Sequence, residues 1–310
     1  MVVPTHRRSD HLGVCLGALL AQERLPEEVL AVVRPDDAAS RGVIGRFPAP
    51  VREVLVHEHG LLAALTAGAR ASTASIVAFT DDDAEPGPAW VRQLLEAFDD
   101  DPAVGGVGGR DLIAGEEGDP GLVVGRVSRW GKLVGNHSRG AGAARSVDVL
   151  KGVNMSYRRE VLALPVGYRG TSTQAHTEVA MGLWARAHGW TLRYDPAIAV
   201  VHHEAARHAS IGRERWKADA ASQTAHNLVA GMLAAQPERF WPRAVYGLAV
   251  GDRGTPGVAQ ALASLAQRRP WEANALLPSL KGQLDALVAA RRGRGVRLRP
   301  LLELDAERSA

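Results

Sequence analysis

Ile76-Val77-Ala78-Phe79-Thr80-Asp81-Asp82-Asp83-Ala84-Glu85-Pro86 is the stretch on which the reading of this chain turns. Ile76 to Phe79 is a short apolar run with the length and composition of a buried strand. It stops abruptly at three consecutive carboxylates. A Pro-containing turn follows, then a helical pattern from Ala89 to Phe98. Adjacent carboxylates repel one another unless water or a cation screens them. At the carboxyl end of a buried strand, a divalent metal carrying phosphates is a fitting screen. The bland alternative is a solvated turn with an Asp helix cap.

Working outward from that run, strand and helix signals alternate. Val2-Val3 reads as a strand, Leu12 to Ala21 as an amphipathic helix, Val29 to Val33 as a buried strand and Val54 to Val56 as another. Leu61 to Ala71 reads as a helix and Val104 to Val107 as a glycine-flanked strand. Such alternation predicts an α/β fold, Rossmann-like, with a mostly parallel sheet and helices on both faces. Ligands of these sheets bind at the carboxyl ends of strands, where Pro4-Thr5-His6-Arg7, Arg34-Pro35-Asp36-Asp37 and Asp81-Asp82-Asp83 all fall. From Ile113 to Val147 the pattern dissolves into a Gly-rich, Arg-bearing stretch, a length of loop that is usually functional or disordered. Regularity returns at Val149 to Tyr157. A helix is expected over 178–188, closed by Gly189, then strands over 191–194 and 197–201 ending in His202-His203. Beyond about Ile211 a mainly helical C-terminal extension is expected, so the chain divides into 1–210 and 211–310.

The 310 residues, 46% apolar and 23% charged, are those of an ordinary globule with room for a sizeable core. The formal charge of +3 suits an anionic ligand without pointing to nucleic acid. A single cysteine, Cys15, excludes an intrachain disulfide and a cysteine-based zinc site, and its leucine neighbours make it core filler. Neither a signal peptide nor a run of the ~18 apolar residues that span a bilayer is read, so a cytoplasmic protein is expected.

In order, the segments Val2 to Arg8, Leu16 to Gln22 with Pro26 to Leu30, Gly60 to Ala71, Phe79 to Ala84 with Pro88-Ala89-Trp90, Lys151 to Arg159, and His176 to Val179 with Gly189 to Pro196 ending at His203 resemble the family 2 glycosyltransferases. These are nucleotide-sugar enzymes of the GT-A fold, and the match covers roughly the first 210 residues. The resemblance implies a metal-dependent, inverting transfer of a sugar from a nucleoside diphosphate sugar to an acceptor hydroxyl, with Mn²⁺ or Mg²⁺ as the metal.

It also implies residue roles. Asp83 and His203 would hold the metal, although a one-residue register shift would put His202 in place of His203. Pro4, Thr5, Arg7, Arg34, Asp36, Asp37, Asp81 and Asp82 would form the donor side. Asp81 lies near ribose or metal, and Asp82 enters as its neighbour in the turn. Where the family ends its second strand in an acidic pair, Arg34-Pro35 stands here. Asp36 or Asp37 could then supply the acid. Glu178, where the family has an Asp, would be the base, or simply a dipole-stabilising acid in a helix's first turn. Trp130, Trp184, Trp190 and Trp216 offer sugar-stacking faces, with Trp184 and Trp190 read as core. Arg213-Glu214-Arg215-Trp216 resembles the acceptor signature of processive synthases, with Gly212 where Gln would stand.

The implied partners are a nucleotide-sugar donor and a glycan, lipid-linked or small-molecule acceptor, without nucleic acid. The competing readings are a nucleotidyltransferase, whose phosphate-loop glycines Pro4 to Arg7 lack, and an inactive binding module. The Arg-rich tail after Asp285 would dock peripherally on anionic lipid at the inner membrane face or be a solvated, disordered end.

Overall fold

In the computed structural model, residues 1–170, 175–203, 213–268 and 274–309 are described, side chains of 213–217 and 308–309 excepted. The chain opens with β1 (Val2–Pro4), α1 (Ser9–Leu20), β2 (Val29–Val33), α2 (Ala38–Ile44), β3 (Val51–Leu55), α3 (Leu61–Ala71) and β4 (Ile76–Phe79). Next come β5 (Ala84–Pro86), α4 (Trp90–Asp99), β6 (Val104–Leu112), the short pair β7 (Arg126–Val127) and β8 (Leu133–Val134), then β9 (Arg145–Val147), β10 (Met155–Arg158) and β11 (Ala163–Val166). After these, α5 (Thr177–Ala187) leads into β12 (Thr191–His202). The remainder holds α6 (Arg213–Ala235), α7 (Phe240–Val245), a π-helical turn (Tyr246–Val250), β13 (Gly251–Asp252), β14 (Thr255–Pro256), α8 (Val258–Ala266), α9 (Leu276–Arg291), β15 (Arg297–Pro300) and α10 (Leu301–Ser309).

The main sheet runs β3-β2-β1-β4-β10-β6-β12-β5, with β9 added on β12. Strands β3, β2, β1, β4, β6 and β12 share one direction, while β10, β5 and β9 oppose it. Period-two alternation in the strands feeds two cores. Val2, Leu30 and Val32 pack with α3 residues such as Leu62 and Leu65. Val3, Val29, Ala31 and Val33 pack with Leu12 and Leu16 of α1 and with Trp90 and Leu94 of α4. Burying both faces is what makes these strands near-continuous apolar runs.

Several boundaries differ from the sequence expectation for tertiary reasons. The two strands expected over 191–201 are one, β12, with a bulge between Asp195 and Val200 that keeps it paired with β6. The glycines around Val107 allow the close approach. A Cβ on Gly109 would lie 1.7 Å from the Ile198 carbonyl oxygen, and one on Gly108 would lie 2.4 Å from that of Asn154. The stretch 113–147 carries β7, β8 and β9 within its loops. Gly189 does terminate α5, in the left-handed region at φ +87°.

The C-terminal residues are mainly helical, but β15 pairs antiparallel with β11. Arg297 and Arg299, expected in a loose tail, therefore lie in a strand. Leu228 and Val229 of α6, Leu287 of α9 and Leu298 of β15 belong to the same core cluster as β1 and α5. The side chains of Arg213-Glu214-Arg215-Trp216 lie outside the described residues.

Candidate active site

The three carboxylates after β4 separate by environment. Asp82 is buried and built into the protein: Thr5 Oγ1 donates to its Oδ2 at 2.7 Å and Arg8 to its Oδ1 at 2.9 Å. The same Arg8 nitrogen reaches Asp83 Oδ2 at 3.2 Å. Burial raises the Asp82 pKa, opposed by Thr5 and Arg8. Asp81 is half-buried, and burial together with Asp83 and Asp82 pushes its carboxyl up to about 6. Thr80 Oγ1 donates to the Val153 carbonyl at 2.9 Å and fixes the root of the turn against the segment leading into β10.

Across from them, β12 delivers His202 and not His203. Val200 is buried in the α1/α4 core, and His202, two residues further on, lies on the same side of the strand. His202 Nε2 lies 3.5 Å from Asp83 Oδ1 and its Nδ1 lies 3.8 Å from Asp111 Oδ2. His203 falls on the opposite side, is largely exposed, and meets Glu85 Oε2 at 3.0 Å. One donor atom from each of Asp81, Asp83 and His202 lies within 4.8 Å of the others. His203, expected beside Asp83, is not in this group because strand alternation turns it away.

Asp111 was not anticipated from the sequence. It sits in β6 opposite Val200 of β12, is 1% exposed, and its Oδ1 has no hydrogen-bond partner. Contacts with Asp111 and Asp83 raise the His202 pKa to about 9. An imidazolium there supplies positive charge between two acids. A divalent cation bound through Nε2 would supply it instead and release that proton. Two carboxylates and one imidazole, with the Asp111 carboxylate behind the ring, are a donor set that suits Mn²⁺ and tolerates Mg²⁺. The residues fit a metal.

The nucleotide side is tied up differently from the expectation. Asp37 caps α2, accepting from Ser40 N at 3.2 Å, and its other oxygen accepts from Arg7 N at 2.5 Å. Arg7 takes a positive φ of 55° to make that contact. Arg34 donates to Asp36 at 3.0 Å and to the His57 carbonyl at 2.8 Å, lacing the ends of β2 and β3 together. Of this set, Arg7 and Asp36 remain exposed. Pro4 and Thr5 end β1 beside the acidic turn, Thr5 through its bond to Asp82.

Glu178 lies in the first turn of α5, half-buried, and its carboxylate makes no hydrogen bond to the described residues. The helix starts from His176 at φ 71°, a left-handed position pinned where Tyr168 Oη donates to the His176 carbonyl at 3.0 Å. Backbone strain of this kind persists only where surroundings enforce it. Lys151, exposed before β10, acts electrostatically on both Asp81 and His176, while Glu178 acts on His176. Trp184 and Trp190 pack against the core, as expected, and Trp130 is exposed.

The sequence profile of glycosyl transferase family 2 matches residues 1–163, more than half of the chain. The chain belongs to that family. It is a glycosyltransferase. The glucosyl-dolichyl phosphate glucuronosyltransferase of Haloferax volcanii is 31% identical over 175 residues, 54% of this chain and 53% of the relative. The chain thus spans about half the length of that curated relative. Among solved structures, S. aureus TarS 1-349 in complex with UDP-GlcNAc superposes with a TM-score of 0.58 at 13% identity, covering 94% of this chain and 87% of that one. GalNAc-T7 with UDP, GalNAc and Mn²⁺ gives 0.59 at 14% identity, covering 93% and 56%. Both likenesses are of fold, and the fold is GT-A. For this family 2 glycosyltransferase, no described helix is long and apolar enough to cross a membrane.

Proposed function

We propose that this glycosyltransferase performs a metal-dependent, inverting transfer from a nucleoside diphosphate sugar to an acceptor hydroxyl. The observation that carries the reading is the convergence of Asp81, Asp83 and His202 at the carboxyl end of β4, donor atoms within 4.8 Å of one another. These three residues would hold Mn²⁺ or Mg²⁺. When bound, the metal supplies Lewis-acid neutralisation of the leaving diphosphate. Asp82 and Arg8 keep the acidic turn in place, since their contact is internal to the protein. Asp111 orients the His202 ring, as carboxylates behind ligating histidines do.

Glu178 is the base. Its carboxylate makes no hydrogen bond to the described residues, and it takes the proton of the acceptor hydroxyl as that oxygen attacks the anomeric carbon from the side opposite the diphosphate. The displaced diphosphate leaves with the bonding pair, and the configuration inverts. Asp36, exposed and paired with Arg34, would serve the nucleotide end, Asp37 being occupied as a helix cap. The Haloferax volcanii relative, named for action on a glucosyl-dolichyl phosphate, supports a lipid-linked acceptor. GalNAc-T7, solved with UDP and Mn²⁺, supports a uridine donor and manganese.

Thermal shift with UDP-, GDP- and dTDP-sugars, with and without Mn²⁺, tests the donor site, because a ligand of the native state raises its melting temperature. Asp83→Ala is expected to remove the metal-dependent shift. Glu178→Gln should retain the shift while losing ~10²- to 10⁴-fold in transfer. A native protein that no donor stabilises in Mn²⁺, or a Glu178→Gln enzyme with native turnover, would overturn the assignment.

A further inference from the structure

The C-terminal region exposes more large apolar side chains than any function in the cleft explains. On α9, Leu277, Leu284 and Val288 recur at intervals of seven and four, so they share one side of the helix. Leu277 is 77% exposed. The opposite side, with Gly282, Gln283 and Leu287, is buried against α6; a Cβ on Gly282 would lie 2.0 Å from the Ser222 carbonyl oxygen. On α8 the same spacing sets Val258, Leu262 and Leu265 on one exposed side, while Ala261 and Ser264 are buried. On α7, Trp241 and Val245 lie four apart, and Trp241 is 64% exposed.

The helices that carry these stripes share a packing partner. The π-helical turn packs on α7, α8 and α9, and Arg291 at the end of the α9 stripe lays its guanidinium 4.6 Å from the Trp241 ring centre. Lys281 and Arg291 lie along the same side of α9 as the leucines, and Arg292 and Arg294 follow directly. Residues 236–300 hold eleven Lys and Arg against four Asp and Glu, a net of +7 in a chain whose total is +3. The rest of the protein is therefore net negative, and the basic excess is confined to the region with the exposed apolar stripes.

We propose that α7, α8 and α9 form a docking face for an anionic lipid bilayer, with Trp241, Leu262 and Leu277 entering the headgroup boundary and Lys281, Arg291, Arg292 and Arg294 meeting lipid phosphates. Apolar side chains at helical spacing beside Lys and Arg are how peripheral helices hold to a membrane surface. A second copy of this face is disfavoured as the occupant, because it would set one +7 segment against another. This inference rests on the surface alone and stands apart from the donor chemistry.

Co-sedimentation of the full chain with vesicles of phosphatidylcholine mixed with phosphatidylglycerol tests it, against vesicles of phosphatidylcholine alone. The native protein should pellet with the mixed vesicles and be released by high salt. Arg291→Gln with Arg292→Gln and Arg294→Gln should weaken binding roughly 100-fold. Trp241→Ser with Leu262→Ser and Leu277→Ser should weaken it by about as much. Both triple variants should keep native circular dichroism and native donor hydrolysis without vesicles. The proposal is overturned if the native protein stays in the supernatant at low salt, or if the apolar triple variant pellets like the native protein. It is also overturned if sedimentation equilibrium shows a dimer that the apolar variant abolishes, which would make the face a contact between copies.

Discussion

Asn154 is fully buried beneath the site, and Asn154→Asp converts its hydrogen bonds into a pH-dependent liability of calculable sign. Its Oδ1 accepts from Trp90 Nε1 of α4 at 3.0 Å, and its Nδ2 donates to the Ile198 carbonyl at 2.8 Å, inside the β12 bulge. The Arg110 carbonyl is a further 3.4 Å contact of the same nitrogen. A carboxyl in this place keeps the Trp90 bond, but its other oxygen faces two carbonyl oxygens and can bond only when protonated. Burial and those oxygens should lift its pKa from the ~3.9 of a free Asp to about 6 or above. Each unit of that lift corresponds to about 1.36 kcal/mol, so about 3 kcal/mol of stability is at stake.

The native state holds this proton more tightly than the unfolded chain, so the variant is near native in stability below about pH 4. Its stability then falls as pH rises through the folded pKa. Asn154→Ala instead leaves Trp90 Nε1 and the Ile198 oxygen unpaired, at about 1–3 kcal/mol each, with no such pH dependence. Urea unfolding followed by circular dichroism, each variant referred to the native protein at pH 4.5 and pH 7.5, reads the difference. An Asn154→Asp protein as stable as the native one at pH 7.5, or a deficit equal at both pH values, would refute the role given to Asn154.

Three further outcomes are expected. His202→Asn should weaken Mn²⁺ binding by calorimetry at least ~10-fold and Asp111→Asn by ~10- to 100-fold, while His203→Asn should leave it unchanged; loss on altering His203 alone would reverse the ligand assignment. His137 is buried, its Nε2 donates to the Val149 carbonyl at 2.9 Å, and burial lowers its pKa. The unfolded state therefore binds a proton that the native state does not, so stability should decline below about pH 6.5, by up to about 1.36 kcal/mol per pH unit for this group. His137→Gln, which can keep the donated bond, should have a shallower decline, and an unchanged slope would count against that cause. Gly109→Ala, forced against the Ile198 oxygen, should destabilise by about 1–3 kcal/mol in urea, where a neutral result would mean the bulge yields freely.

Much of the fold was legible because its signals are local. Val29–Val33, Leu61–Ala71 and Ile76–Phe79 begin and end where their apolar patterns do, since each buries faces set by its own spacing. Helix α2 was not: Ala38 to Ile44 is short and weakly apolar, and it is started by Asp37, an acid first read as a nucleotide contact. Strand β15 was not either, because its Arg-rich sequence becomes a strand only through pairing with β11, more than a hundred residues earlier.

By itself, the sequence determined the acidic turn at the end of an apolar strand, the alternation that builds a doubly covered sheet, and the acid at the head of α5. Those features follow from residue chemistry and from periods of two and 3.6. The tertiary structure alone decided how the acids divide their work. Asp82 is held by Thr5 and Arg8, which lie between β1 and α1 some seventy residues earlier. The choice of His202 over His203 rests on the same kind of fact. Neighbouring histidines on a strand face opposite ways, and which one meets Asp83 depends on the register of β12 against β5 and β6, set across the sheet by contacts no local pattern contains.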